Sequence, residues 1–317
     1  MVGLAALSTV ATARIINDGT SNGTVSNGTH FVDPATGYSV VHFDCDVHVG
    51  KASTHFRQAI KGLHSNYDKG GIATRAARNV KSKLTSATLI PPIDTYFHVV
   101  TSNAKKGTIS QAMVDNQFKA LNNAYNPFGI SFNLVATDFT TNDAWAVGSG
   151  SDGAAMKSSL RKGTYSTLNV YYQTDLAGGM LGTCSLPSQV SKGTPPSLYS
   201  SDGCNVAAQT MPGGNIGGYN TGMTAVHEIG HWLGLLHTFE GYSCSGNGDF
   251  ISDTPMESSS TSGCPAKPAK NSCGSSRPGV DPIHNYMDYS TDACYQAFTD
   301  QQVARMQNLW IQYRSGN

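Results

Sequence analysis

His227-Glu228-Ile229-Gly230-His231-Trp232-Leu233-Gly234-Leu235-Leu236-His237 is the stretch that decides the fold. Residues four apart on a helix share one face, roughly 5–6 Å apart at Cβ. His227 and His231 can therefore bind one zinc ion through neutral imidazoles. Glu228, beside the first ligand, is placed to hold a water and take its proton. His237 completes three protein ligands and leaves a fourth position open, the arrangement of a catalytic rather than a structural zinc. Gly234 explains how His237 arrives. A glycine just past the last helical residue can adopt the left-handed conformation, end the helix and turn the chain back toward the metal. A bare His-Glu-x-x-His occurs by chance in many chains, but the eleven-residue form fixes five positions, each with its own mechanism.

The surrounding composition narrows the class. The chain has 317 residues and is 39% hydrophobic, enough for a sizeable core. Only 13% of residues are charged, about half the usual share of roughly 25%. Lys+Arg and Asp+Glu are 21 each, so no basic excess points to nucleic acid or an anionic membrane. No apolar run is long enough to span a membrane. The seven cysteines, Cys45, Cys184, Cys204, Cys244, Cys264, Cys273 and Cys294, form no close C-x-x-C pair, which argues against a zinc ribbon or a thioredoxin-type motif. Six lie in the C-terminal half at irregular spacings, as disulfides of an oxidising compartment would. Their pairing is open from spacing alone, and Cys45 stands apart.

The elements around the histidines read as follows. Asp94–Val100 is a strand rich in β-branched and aromatic residues. Ser110 caps a helix through about Tyr125, with Met113, Val114, Phe118 and Leu121 at helical spacing. Ile130–Val135 and Thr167–Gln173 are strands, 152–162 is a helix, and Cys204–Met211 is an expected edge strand. The order strand, helix, strand, helix, strand implies crossover helices on a mixed sheet. The motif helix runs from Thr221 to about Leu233. Residues 256–279 are rich in Ser, Pro and Gly and show little regular pattern. Thr299–Tyr313 is an amphipathic helix.

The eleven-residue motif resembles the metzincin signature, whose second element is a methionine in a tight turn below the zinc ligands. Met287 of Asn285-Tyr286-Met287-Asp288-Tyr289 stands 50 residues after His237 and matches it. In several metzincin groups a tyrosine two residues after that methionine hydrogen-bonds the developing oxyanion, a role the resemblance carries to Tyr289. With Gly248–Pro255 (GDFISDTP), Asn285–Ser290 and Phe298–Met306, the motif is similar to the pappalysin family, and most of all to its fungal secreted extracellular metalloproteases. The similarity covers about residues 90–317. It implies an α+β metzincin-type fold, with a mixed twisted sheet and helices above the cleft (89–234). Below lies an irregular, disulfide-held part with a C-terminal helix (235–317). It also implies the disulfides Cys244–Cys273 and Cys264–Cys294, with Cys184–Cys204 as the third. Family members carry calcium near the acidic loop, where Asp249, Asp253 and Thr254 match. The same residues also make ordinary Asx-turns, and both readings stand.

Residues 1–13 end on a small-residue step that resembles a secretory signal, against an ordinary N-terminal segment. Sequons follow at Asn22 and Asn27. His42, His48, His55 and His64 lie outside any close ligand spacing and read as solvated or packing residues. Residues 14–88 read as a pro-segment, with Arg75-Ala76-Ala77-Arg78 as a processing site rather than a plain linker. Cys45 is then left over in the pro-segment, where a thiolate can fill the open zinc position, as pro-segment cysteines do in some metzincins. Its surround, Phe43-Asp44-Cys45-Asp46, departs from the Arg-x-Cys-Gly-like pattern of family members, so Asp44 or Asp46 is the alternative. The expectation is a secreted, monomeric zinc endopeptidase made as a latent precursor and acting on proteins or peptides. The rivals are an inactive zinc-binding or adhesion protein, against which intact Glu228 argues, and a zinc amidase acting on a non-protein substrate.

Overall fold

The computed structural model describes residues 31–32, 39–40, 45–68 and 90–317 apart from Pro278. Residues 1–13, both sequons, His42, Asp44, the Arg75–Arg78 stretch and the expected boundary near 88 lie outside the described residues. Among the described residues no helix is long and apolar enough to cross a membrane.

Two short strands, β1 (Phe31–Val32) and β2 (Ser39–Val40), pair antiparallel. Helix α1 (Thr54–Asp68) follows. The main sheet has five strands in the order β4-β3-β5-β7-β6: β3 (Ile93–Thr101), β4 (Phe132–Thr141), β5 (Leu168–Gln173), β6 (Gly182–Cys184) and β7 (Cys204–Ala207). The first four in that order run parallel, and β6 closes the edge antiparallel to β7. Every residue of β5 and all but two of β3 are buried, as expected for inner parallel strands covered on both faces.

Helix α2 (Gln111–Tyr125) starts where Ser110 accepts a hydrogen bond from Met113 N. It is followed by α3 (Asp143–Val147), α4 (Gly150–Leu160) and the motif helix α5 (Met223–Trp232). Every α5 residue from Thr224 onward is buried. An all-round buried helix needs polar anchoring from neighbours, and α2 supplies it: Tyr125 donates to Val226 O at 2.8 Å and Gln117 to Gly222 O at 3.0 Å. Helix α5 begins two residues later than expected. Gly222 holds φ +93, and the Thr221 backbone and hydroxyl both donate to Asp292 Oδ2 instead of entering the helix.

Two expectations are corrected. Cys204–Met211 is not the edge strand. Only Cys204–Ala207 is extended, it lies inside the sheet, and three-residue β6 takes the edge. Thr299–Tyr313 is not one α-helix. Helix α6 (Asp300–Leu309), boxed by Thr299 and Gln302, gives way to a wider turn over Trp310–Arg314. That turn carries the buried Arg314 guanidinium over the Trp232 ring, 3.5 Å from its centroid, and into contact with Asp202 at 3.0 and 3.2 Å. Arg314 also donates to Trp232 O at 3.1 Å, so the C-terminal segment clamps the end of α5.

Below the sheet the chain is irregular from Leu235 to Phe298 and carries the disulfides Cys244–Cys273 and Cys264–Cys294; Cys184–Cys204 joins β6 directly to β7. Helix α1 packs Phe56 and Ile60 against Leu236, Leu309 and Tyr313. This helix was absent from the sequence reading, although Phe56, Ile60 and Leu63 stand at i, i+4 and i+7.

Candidate active site

The three motif histidines converge as their spacing requires. His231 Nε2 lies 3.1 Å from His227 Nε2 and 3.1 Å from His237 Nε2. Gly234 makes this possible. Its φ is +101, and a side chain there would run into Leu309. Gly234 N and Leu235 N bond back to His231 O at 2.8 Å and Gly230 O at 2.9 Å, closing the turn.

Carbonyl acceptors fix two of the rings. His227 Nδ1 faces Tyr286 O at 2.7 Å and His231 Nδ1 faces Leu235 O at 2.8 Å. A carbonyl only accepts, so the proton sits on Nδ1 and each Nε2 presents a lone pair. Burial pushes the His231 imidazole down to about 3 and holds those of His227 and His237 well below their ordinary value, with the neighbouring histidines adding to the effect for the latter two. Neutral imidazole lone pairs aimed at one another within a buried space are suited to a cation. The residues present therefore fit the catalytic metal of such a site.

Asn285–Tyr289 lies directly beneath. Met287 is buried, and its sulfur would stand 2.5 Å from a side chain added at Gly230. Met287 O accepts from Thr238 N at 3.2 Å, next to His237, so the turn supports two of the three histidines. The Tyr289 ring meets His237 edge-on at 5.0 Å.

Above the histidines, Glu228 packs against β6. A methyl group at Gly182 would come within 2.5 Å of Glu228 Cγ, so only glycine allows the strand to lie this close to the carboxylate. Gly182 carries no local signal in the sequence, because its role is set by a neighbour far away in the chain.

Cys45 belongs to no disulfide, and its Sγ and the histidine nitrogens all lie within 4.8 Å of one another. Its Sγ is 3.3 Å from Glu228 Oε2. Its N–H donates to the Tyr289 hydroxyl, and that hydroxyl faces its carbonyl, both at 2.9 Å. Cys45 also bridges Gly182 in the parallel sense. Asp46 instead pairs with Lys51 at 2.5 Å on the surface. His48, read from sequence as a packing or solvated residue, is brought to the site: its ring lies 6.0 Å from that of His237, and it groups with His237 and Glu240. Glu240 accepts from Val49 N at 3.0 Å.

Asp249, Asp253 and Thr254 lie apart from the histidines, beside the start of α6. Both Asp253 oxygens are taken, by the Thr299 hydroxyl at 2.7 Å and Gln301 N at 3.0 Å. Asp249 Oδ1 accepts from Ile251 N at 3.0 Å. The Asp249 and Thr254 side chains are buried, and the Thr254 hydroxyl interacts with the Asp249 carboxylate.

Three buried imidazoles, an adjacent carboxylate and a methionine turn on this mixed sheet define a metalloendopeptidase. The peptidase M43 pattern, described as pregnancy-associated plasma protein-A, matches residues 160–310. An extracellular metalloprotease of Aspergillus oryzae is 48% identical over 251 residues, spanning 71% of this chain and 77% of its own. One from Neurospora crassa is 49% identical over 227 residues, spanning 70% and 76%. Mature mirolysin of Tannerella forsythia, solved with a cleaved peptide, superposes with a TM-score of 0.57 at 28% identity, over 70% of this chain and 92% of its own. The chain belongs to the pappalysin family of zinc metalloendopeptidases, and to its extracellular members.

Gly182→Ala should displace the Glu228 carboxylate while leaving the histidines in place. Turnover of casein is expected to fall by roughly 100-fold with metal content unchanged. An unaltered rate would show that β6 yields instead.

Proposed function

We propose that the protein is a latent endopeptidase precursor whose His227, His231 and His237 hold one zinc ion, with Glu228 as general base. The convergence of the three Nε2 atoms beside Glu228 carries this reading. Borderline-soft zinc suits three neutral imidazoles with an open fourth position. When bound, the ion supplies Lewis acidity to the scissile carbonyl and to the attacking water. Glu228 takes the proton from that water on a carboxylate oxygen and passes it to the leaving amine. The Tyr289 hydroxyl donates a hydrogen bond to the developing oxyanion. An extended substrate adds main-chain hydrogen bonds along β6, the edge strand of the sheet, once the Cys45 segment has left Gly182.

Latency is proposed to rest on Cys45. One residue engages the histidine cluster and Glu228 through its sulfur and Tyr289 through its backbone. It would thus take the metal's open position, and it engages the base and the oxyanion donor at the same time. The surface pairing of Asp46 with Lys51 favours the cysteine over that aspartate. Residues 14–88 act as the removable pro-segment, with Arg75–Arg78 as the processing stretch.

For calcium, the buried side chains of Asp249 and Thr254, which lie within reach of each other, offer oxygens to a hard cation, whereas Asp253 serves α6. Burial pushes the Asp249 carboxyl up to about 7, against the opposing pull of Arg305, and a bound cation would favour its charged form. Such an ion would supply only structural charge neutralisation.

Three experiments test these roles. Glu228→Gln should retain one zinc per chain and lose most cleavage of casein, read by mass spectrometry of the cuts; full activity in this variant, or no zinc in the wild type, overturns the assignment. In the matured enzyme, Tyr289→Phe should lower kcat by roughly 10-fold or more with little change in KM, whereas an unchanged kcat returns Tyr289 to packing. Cys45→Ala should speed autoactivation of the precursor, and Asp44→Ala and Asp46→Ala should not. Undiminished latency in Cys45→Ala eliminates the switch.

A further inference from the structure

The irregular stretch between Glu257 and Asp281 is gathered around one ammonium group. Lys270 Nζ reaches Glu257 Oε2 at 2.9 Å, the Ser259 carbonyl at 2.5 Å, Thr261 Oγ1 at 3.1 Å and Asp281 Oδ2 at 2.9 Å. The Glu257 and Asp281 side chains are 0% and 1% exposed. An ammonium has three N–H donors, so four oxygens exceed what it can bond singly. Two carboxylates, a hydroxyl and a main-chain carbonyl are the donor set of a hard divalent cation.

A third carboxylate points to the same charge. Asp288 is fully buried, and its Oδ1 accepts from Thr261 N and Tyr289 N at 2.9 and 2.7 Å. The Thr261 hydroxyl also hydrogen-bonds this carboxylate, and its charge acts on both Lys270 and Glu257. Burial, reinforced by Asp288, pushes the Glu257 carboxyl up to about 8. The ammonium is thus outnumbered by acidic groups.

The cage also touches the active site through neighbours in sequence. Thr238, next to His237, donates to Glu257 Oε1 at 2.5 Å and to Met287 O through its backbone. Asp288 lies between Met287 and Tyr289.

We propose that Lys270 is the resident cation of a calcium-type oxygen site, and that its ammonium ties the turns bearing His237, Met287 and Tyr289 to the disulfide-held loop in place of a metal ion. Lys270 is a positioning residue. Removing its side chain leaves a cage that takes calcium. This site is separate from Asp249 and Thr254, and it does not depend on the identity of the catalytic metal.

The test uses the full-length precursor with zinc present and other divalent ions removed. Without calcium, Lys270→Ala should melt roughly 10 °C below wild type, as expected for breaking a buried charge cluster. Millimolar calcium should restore most of that loss. Equilibrium dialysis should count one more calcium ion per chain in Lys270→Ala than in wild type, and the additional Asp281→Asn change should abolish the extra ion. The wild-type response sets the baseline for any calcium bound elsewhere. Equal calcium counts and equal calcium-induced shifts in the two proteins overturn the proposal. So does a melting point unchanged by Lys270→Ala. If the variant fails to fold without calcium, recovery of soluble protein by refolding with calcium supports the site, and failure under both conditions overturns it.

Discussion

Three imidazole nitrogens, with that of His231 3.1 Å from each of the other two, form the constraint around which this protein is built. Neutral lone pairs facing one another gain nothing without a cation, so the scaffold must impose their positions beforehand. It does so by occupying Nδ1 of His227 and His231 with main-chain carbonyls, one from the methionine turn and one from the turn after α5. Both acceptors belong to backbone whose path is itself fixed, by Asn285 bonding Met287 N and by the left-handed Gly234. The complete burial of α5 follows from the same need. A helix that could roll or shift would scatter its ligands, so α2, β6 and the C-terminal turn hold it from several sides.

The segment through Cys45 lies across the candidate site and meets it through one residue. Its parallel alignment with β6 covers the sheet edge at Gly182, and its sulfur and amide meet Glu228 and Tyr289. Helix α1 then anchors the segment on Leu236, Leu309 and Tyr313, away from the reacting groups. Packing against the body of the protein and contact with the candidate site are thus supplied by separate stretches of one chain.

The sequence revealed those features whose physics is local. The helical repeat of His227 and His231, the glycine at 234, the Ser110 cap and the apolar runs of β3 and β5 each declare themselves within a few residues. What escaped depends on partners distant in sequence. Strand β6 is three residues long, too short for alternation to show, and β7 reads as an edge until β6 is seen to pair with it. Gly182 matters only because Glu228 packs against it. His48 carries no ligand spacing, and it reaches His237 because α1 holds its segment down. Lys270 sits in a stretch with no periodicity at all, so nothing nearby announces that carboxylates at 257, 281 and 288 surround it.

The clamp of Arg314 on Trp232 and Asp202 bears on the order in which the molecule is made. The two residues in contact are 82 apart in sequence, so the end of the motif helix is secured only after the whole lower part has been synthesised. A nascent chain carries Cys45 and α1 long before it carries this clamp. The Cys45 segment is therefore synthesised before the histidine cluster gains this last support, and assembly during translation can seat it before the clamp closes.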